Sequence, residues 1–292
     1  MKLIKPSFEI ISQAPSELGM LKHIETCGRV AWKSEERITD DSYVKFIEML
    51  KGVNHGSVLE HGTVYMLMPC TTRFSGSICF YNNNQYTKVV DCKIGNDYFY
   101  AITTNYRVLI DGQDNLFTDV WQDLEELQCE PTEFHEKRVT VRFTCDRGVS
   151  HEYIRHRVFS FTQESTRYCN YSKDKFDNEV TFILPGWVNR DERYDFALDS
   201  ILCVNSTESP EVLWVRNLVT AEQDYIQLLR KGWKPQQART VLPNSLKTEL
   251  IMTGFISDWE HFFKLRTASG AHPQASELAI PLQEEFKKLN FI

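Results

Sequence analysis

Between positions 155 and 167 the chain reads Arg155-His156-Arg157-Val158-Phe159-Ser160-Phe161-Thr162-Gln163-Glu164-Ser165-Thr166-Arg167, three arginines and a histidine set among hydroxyls and bulky apolar residues. Glu164 is the only carboxylate within the segment. A guanidinium stays charged at any working pH and needs anionic or carbonyl partners when it is drawn toward apolar surroundings. The missing counter-charge therefore comes from elsewhere in the fold or from a bound anion. Arginine is the residue that grips phosphate or carboxylate through two parallel hydrogen bonds. A surface helix with solvated charges is the plain alternative.

A second basic residue stands out by its spacing. In Ser257-Asp258-Trp259-Glu260-His261-Phe262-Phe263-Lys264-Leu265-Arg266, Ser257 and Glu260 form a capping box that would start a helix. Trp259, Phe262, Phe263 and Arg266 then share one face at i, i+3, i+4 and i+7, so an arginine stands where the pattern calls for a core residue. It either finds a partner there or snorkels past the rings to solvent.

Other chemistry is poorly served. His151 and His156 lie five apart, about 140° around a helix instead of the 40° that lets two histidines pinch one metal, and no metal site is expected. Neither G-x-G-x-x-G nor G-x-x-x-x-G-K-[ST] occurs, so a dinucleotide would have to be held by side chains. Ser165 lacks an evident histidine base and reads as a hydrogen-bond donor to phosphate or ribose.

The elements that must position these groups follow from the pattern. The 292 residues, 42% hydrophobic, suffice for a large packed core. A net charge of -7 opposes binding to nucleic acid or anionic membrane, so any phosphate must meet a local pocket. No run approaches the roughly 18 apolar residues of a bilayer span, and Met1 to Pro6 lacks a signal-peptide core; the expected compartment is the cytoplasm. Eight scattered cysteines, nine or more positions apart, read as reduced and mostly buried thiols.

After a short opening strand, the periodicity predicts helices over Ser16 to Lys33 and Asp40 to Lys51, and Ser57 with Glu60 suggests another capping box. Val64 to Met68, Tyr98 to Ile102, Val139 to Cys145 and Val180 to Leu184 read as strands. Further helices are predicted near Leu116 to Leu127, from Gly148 into the Arg-His-Arg triplet, over Glu211 to Lys231, near Ser257 to Thr267, and from Pro273 toward Leu289 with a kink at Pro281. The expected fold is α+β: a single domain over 1–292, a mixed or antiparallel sheet packed by helices, and an inserted lobe at 69–136 before the Arg-His-Arg helix.

Arg155-His156-Arg157, seven further residues, then Ser165-Thr166-Arg167-Tyr168 resembles the signature of the flavin-dependent thymidylate synthases. Ala238-Arg239-Thr240-Val241-Leu242-Pro243, Leu265-Arg266 and the stretch from His55 to Tyr65 are similar to that family as well. The chain departs from it at Glu152, where a glutamine is common, at Gln163 for a glutamate, and at His261 for an asparagine. It looks like a long form, since 93 residues separate His61 from Arg155 where shorter members run almost directly between the two elements. Pro69-Cys70 is similar to the nucleophile of the flavin-free class, but nothing around it matches, and Cys70 reads as a strand-end thiol.

The resemblance implies a methyltransferase of nucleotide biosynthesis: reductive methylation of dUMP to dTMP, with methylenetetrahydrofolate as carbon donor and reduced FAD, recharged by NADPH, as hydride donor. It implies flavin contacts from His55, Ser57, Glu60, Arg155, His156, Arg157, Gln163 and His261. It implies substrate contacts from Glu152, Arg155, Gln163, Ser165, Thr166, Arg167, Arg239 and Arg266, in sites shared between subunits of a homotetramer. Arg266 is the catalytic candidate, because a fixed cation near uracil N3 stabilises the deprotonated ring. At about 4 Å and an effective dielectric near 20 the attraction reaches ~4 kcal/mol, or ~3 pK units. The competing class is an RNA- or nucleotide-binding module, with Arg155, Arg157 and Arg167 on phosphates and Phe159, Phe161 and Tyr168 under bases; the net charge argues against it.

Overall fold

The computed structural model describes residues 1–53, 55–116, 118–188 and 209–292. Its organising element is an antiparallel sheet of four strands in the order β2 (Ser7–Ile11), β6 (Arg138–Asp146), β9 (Lys247–Phe255), β7 (Ser160–Gln163). Val141 lies opposite Met252 and Phe143 opposite Leu250 along β6 and β9, and Thr162 lies opposite Ile251 along β7 and β9.

Side chains alternate across a strand, so β9 serves two environments. Leu250 and Met252 join Phe143, Trp259, Phe262 and Phe286 in an apolar core closed by α10 (Ile256–Arg266) and α11 (Pro273–Lys288). The other face turns toward α1 (Ser16–Arg29), where Ile251 packs on Cys27 and Val30. That face carries a buried polar chain. His23 Nε2 lies 3.0 Å from Thr140 Oγ1, Thr140 Oγ1 2.7 Å from Thr253 Oγ1, and His61 bridges Thr253 at 2.8 Å and Thr162 at 2.9 Å. Pairing offsets the desolvation that each group would otherwise cost.

A second antiparallel sheet, β3 (Thr63–Pro69), β5 (Asp97–Asn105) and β4 (Lys88–Ile94), packs with α2 (Ser42–Gly52), α3 (Gly56–Leu59), α4 (Ser75–Asn82), α5 (Tyr106–Gly112) and α6 (Val120–Leu127). Ile24, Phe46 and Leu50 from the first helices share one core with Met66, Tyr81, Ile102 and Leu124. The 69–136 segment is thus built onto α1, α2 and β3 instead of carrying a core of its own. A parallel pair, β1 (Lys2–Ile4) and β8 (Thr181–Ile183), packs near α8 (Pro210–Arg230), where Phe182 meets Leu218 and Tyr225. Two short helices, α7 (Arg147–Tyr153) and α9 (Pro235–Ala238), complete the order.

The fold is α+β, as read from the pattern, and its sheets are antiparallel apart from the β1/β8 pair. Several local expectations fail. Ser57 lies inside α3, whose N-cap is His55, so Ser57 and Glu60 form no capping box. At α10 the box is displaced: the Phe255 N–H donates to Asp258 Oδ2 at 3.0 Å, and Ser257 instead contacts Glu136. The Arg-His-Arg triplet follows α7 in a turn and is not helical. Helix α11 carries Pro281 inside its span. Strands β7 and β9 were not anticipated. Cysteines 27, 92, 145 and 169 are buried and free, Cys70 and Cys79 are exposed, and Cys203 lies outside the described residues. No helix among the described residues is long and apolar enough to cross a membrane.

Burial, helped by the Arg138 charge, lowers the His23 pKa to about 4; burial also holds His61 well below its usual range. An unfolded histidine takes up its proton near 6.5 while the folded ones resist, so stability is full above that pH and falls as pH drops toward 4. His23 alone contributes a loss of ~3 kcal/mol across that interval. Urea midpoints should fall steeply from pH 7 to pH 5 and less steeply in His23→Gln; equal midpoints at both pH values would contradict the neutral network.

Candidate active site

Only six residues separate the end of α7 at Tyr153 from the start of β7 at Ser160, which forces the triplet into a tight turn. Phe159 anchors it. Its ring lies over Gly254 of β9, where an added Cβ would come within 2.5 Å of Phe159 Cε1, so the close approach needs glycine there. With Phe159 fixed, His156 turns inward, its ring centroid 5.0 Å from that of Phe262.

Arg266 meets it from the last turn of α10. Its Nε–H donates to His156 Nε2 at 3.0 Å, its Nη1 to Glu152 Oε2 at 2.8 Å, and its Nη2 to the Glu152 carbonyl oxygen. The side chain is only 12% exposed. Burial, then the charges of Arg266 and His261, lower the His156 pKa to about 4. His156 is therefore neutral, and because Nε2 accepts, its proton resides on Nδ1. The Arg266 hydrogen bond in turn keeps the Glu152 carboxyl below the usual carboxylate range. His261 lies beside them, 6.2 Å from His156 between ring centroids.

A second group gathers around the loop after β7. Glu164 is buried, accepting from Lys247 Nζ at 2.8 Å and from the Tyr171 hydroxyl at 3.0 Å. Lys247 also donates to Glu249, which accepts from Lys33 at 2.7 Å and from Arg142 Nε at 2.7 Å. Burial alone would raise the Glu249 pKa, but Lys247, Lys33 and Arg142 overcome it and hold the carboxyl at about 2. On this platform the Ser165 N–H donates to the Ala31 carbonyl at 3.0 Å, and Arg239 Nη1 donates to Thr166 Oγ1 at 2.8 Å. The Arg167 guanidinium lies over the Tyr168 ring at 5.5 Å. Tyr168 continues through Trp32 to His55, with ring centroids 6.1 and 6.0 Å apart.

The family model described as thymidylate synthase complementing protein matches residues 130–290, just over half of the sequence. The chain belongs to this family. Among relatives of the thymidylate synthase complementing family, the flavin-dependent thymidylate synthase of Pyrococcus furiosus is 28% identical over 145 residues, 49% of this chain and 52% of that protein. That of Mycobacterium avium is 31% identical over 134 residues, covering 46% and 51%. The probable enzyme of Paramecium bursaria Chlorella virus 1 is 29% identical over 150 residues, covering 51% and 66%. The chain spans about half the length of the first curated relatives it matches. A crystal structure of a UMP/dUMP methylase from Streptomyces cacaoi aligns over 99% of this chain and 93% of that one, with 19% identity and a TM-score of 0.43.

The family match spans Glu152, His156, His261 and Arg266, which the structure joins, and Ser165, Thr166, Arg167 and Arg239, which form the second group. Gln163 is engaged by other partners, donating to Ser150 Oγ at 2.8 Å and Thr248 Oγ1 at 3.2 Å. His55, Ser57 and Glu60 precede the match; Ser57 is exposed, and Glu60 is bound to Arg107 at 2.6 Å. Arg155, Arg157 and Arg167 are exposed, so the expectation that all three guanidiniums are drawn into apolar surroundings does not hold in this chain by itself. Lys33, Arg142, Lys247, Glu249 and Tyr171 went unnoticed in the sequence. Lys247 and Glu249 alternate with Thr248 and Leu250, a period of two that could have marked the strand.

Removing Arg266 takes a charge away from His156 and opens its pocket, and both changes favour the protonated ring. Arg266→Ala should raise the His156 pKa toward the ordinary value in a histidine NMR titration. An unchanged titration would show that the two side chains are not in contact.

Proposed function

We propose that this chain catalyses reductive methylation of dUMP to dTMP, taking the carbon from methylenetetrahydrofolate and using FAD recharged by NADPH. The observation that carries this reading is Arg266, buried beside an aromatic core within the family segment and secured by Glu152 and His156. A guanidinium has five N–H donors, and these contacts engage one on each nitrogen. Two remain to meet a uracil carbonyl and a deprotonated N3, and the fixed charge favours that anion.

The donor set suits FAD, with its two phosphates and flat ring. Arg155, Arg157 and Arg167 are exposed and have no carboxylate within 4.0 Å among the described residues, and neutral His156 can offer its Nδ1–H. Bound FAD supplies the hydride chemistry that no side chain here can provide. In this reading Arg155, His156 and Arg157 bind the flavin with His261, and with His55, Ser57, Glu60 and Gln163 at the margins. Arg239 and Arg167 hold the substrate phosphate, and the Ser165 hydroxyl donates to it beside Thr166. Glu152 orients Arg266.

The exposure of the arginines supports a site completed by a second copy, and our reading takes the assembly as a homotetramer and the enzyme as cytoplasmic. Residues 69–136 are then an insertion into one domain spanning 1–292.

Arg266→Ala should retain flavin absorbance yet lose methyl transfer by about 100-fold or more, the order seen when a preorganised charge is removed from a reacting centre. His156→Ala should lose flavin first. Equal loss of flavin in both variants would undo this division of roles, and a monomer by light scattering would undo the shared site.

A further inference from the structure

The three-stranded sheet ends at β4, whose outer edge has no neighbouring strand among the described residues. Which of its backbone groups face outward follows from the strand beside it. Pro69 lacks an N–H and lies opposite Phe99, while the Cys70 N–H donates to the Tyr98 carbonyl at 2.9 Å. Tyr98 therefore bonds toward β3 and Phe99 toward β4. Phe99 is paired with Cys92, so Val90, Cys92 and Ile94 turn their backbone groups into the sheet. Val89, Asp91 and Lys93 direct theirs outward.

Side chains alternate between the two faces of the strand. Val90 and Ile94, 38% and 39% exposed, flank Cys92 on one face, and Asp91 and Lys93 stand exposed on the other. Neither charge has an ion-pair partner within 4.0 Å among the described residues. An open edge that also exposes aliphatic side chains is a template for another strand. An antiparallel strand satisfies this edge when its own outward residues lie opposite Val89, Asp91 and Lys93.

We infer that this edge pairs with β4 of a second copy, antiparallel about a two-fold axis, with Asp91 opposite the partner's Lys93. The charges select that register. Asp91 opposite the partner's Asp91, or Lys93 opposite the partner's Lys93, sets like charges face to face, and Asp91 opposite the partner's Val89 leaves both charges unmatched. With Asp91 opposite the partner's Lys93, Val90 covers the partner's Ile94, and Cys92 meets the partner's Cys92 on the axis. One register thus matches both charges and buries both exposed aliphatic side chains. Each copy offers one such edge, so association through this contact closes at two copies. Strand β4 precedes the family match, which makes the contact a feature of the 69–136 segment, separate from the shared site proposed above.

The test measures mass by light scattering on the full chain over a range of concentrations, for wild type, Asp91→Lys, Lys93→Asp and the charge-swapped double variant D91K/K93D. Each single variant sets like charges opposite each other and should raise the concentration at which the mass halves by about tenfold or more. The double variant should restore it, which a chain damaged in folding would not do. Copper phenanthroline oxidation of a Cys70→Ser, Cys79→Ser chain should give a covalent dimer whose linked peptides both carry Cys92. Residues opposed in a non-hydrogen-bonded pair lie about 4.5 Å apart between Cα atoms, within the roughly 4.4–6.8 Å range of a disulfide. Equal masses for wild type and both single variants at every concentration would overturn the pairing. A covalent dimer linked elsewhere, or none, would overturn this register. A chain inactive toward dUMP would count against the proposed function and leave the pairing standing.

Discussion

The two-sided burial of β9 is the constraint from which the rest of the structure follows. A strand covered on both faces cannot leave polar side chains unpaired, because each orphaned group costs on the order of 1–3 kcal/mol and a charge costs more. Thr253 is therefore paired with His61 and Thr140, and Glu249 is surrounded by Lys33, Arg142 and Lys247. These partners come from the turn after α1, from β6, from the start of β9 itself and from the second residue after α3, and His23 of α1 extends the chain through Thr140. Satisfying one strand thus fixes where the N-terminal helices sit. On the opposite face, Leu250 and Met252 direct α10 and α11, and with them Arg266.

The two groups of site residues depend on β9 in different ways. Glu164 lies at the end of β7 and is tied to Lys247, so the loop carrying Ser165, Thr166 and Arg167 leaves the sheet from a rigid ionic platform. Glu249 stays ionised inside the protein only because three cations outweigh its desolvation. Arg266 reaches its place through packing: Trp259, Phe262 and Phe263 commit one face of α10 to the core, and the arginine one turn later must emerge beside His156. Glu152 neutralises part of its charge, leaving a guanidinium both fixed and still able to donate. At the other end of α10, the Phe255 ring meets both Lys88 and Arg138, 5.5 and 5.6 Å from its centroid, and so joins the family core to the 69–136 segment.

Much of this was legible in the sequence where the signal is local. Amphipathic spacing located α1, α2, α8 and α10 to within a few residues, and strict alternation located β6. The arginine on the aromatic stripe of α10 was visible by counting alone, as was the need for a partner. The Arg-His-Arg motif drew attention to the right turn but to the wrong backbone, because nothing in the motif records that β7 must start at Ser160 to pair with Thr253. Capping-box patterns at Ser57 and Ser257 misled for a related reason: side-chain types permit a cap, but the helix start is set by where the preceding strand or turn delivers the chain.

By itself, then, the sequence determined the family, the α+β class, the helices with one apolar face and the residues whose charge needs explaining. All of these reside in the order of neighbouring residues. The tertiary structure decided what meets what: that β9 is an interior strand, that Glu164 pairs with Lys247 instead of the arginines near it in sequence, that Glu152 and His156 receive Arg266, and that Arg155 and Arg157 remain at the surface. Charged and polar residues on a buried strand look like a surface segment until their partners are known. Those partners lie up to 216 positions away along the chain, as with Lys33 and Glu249, where local periodicity carries no information about them.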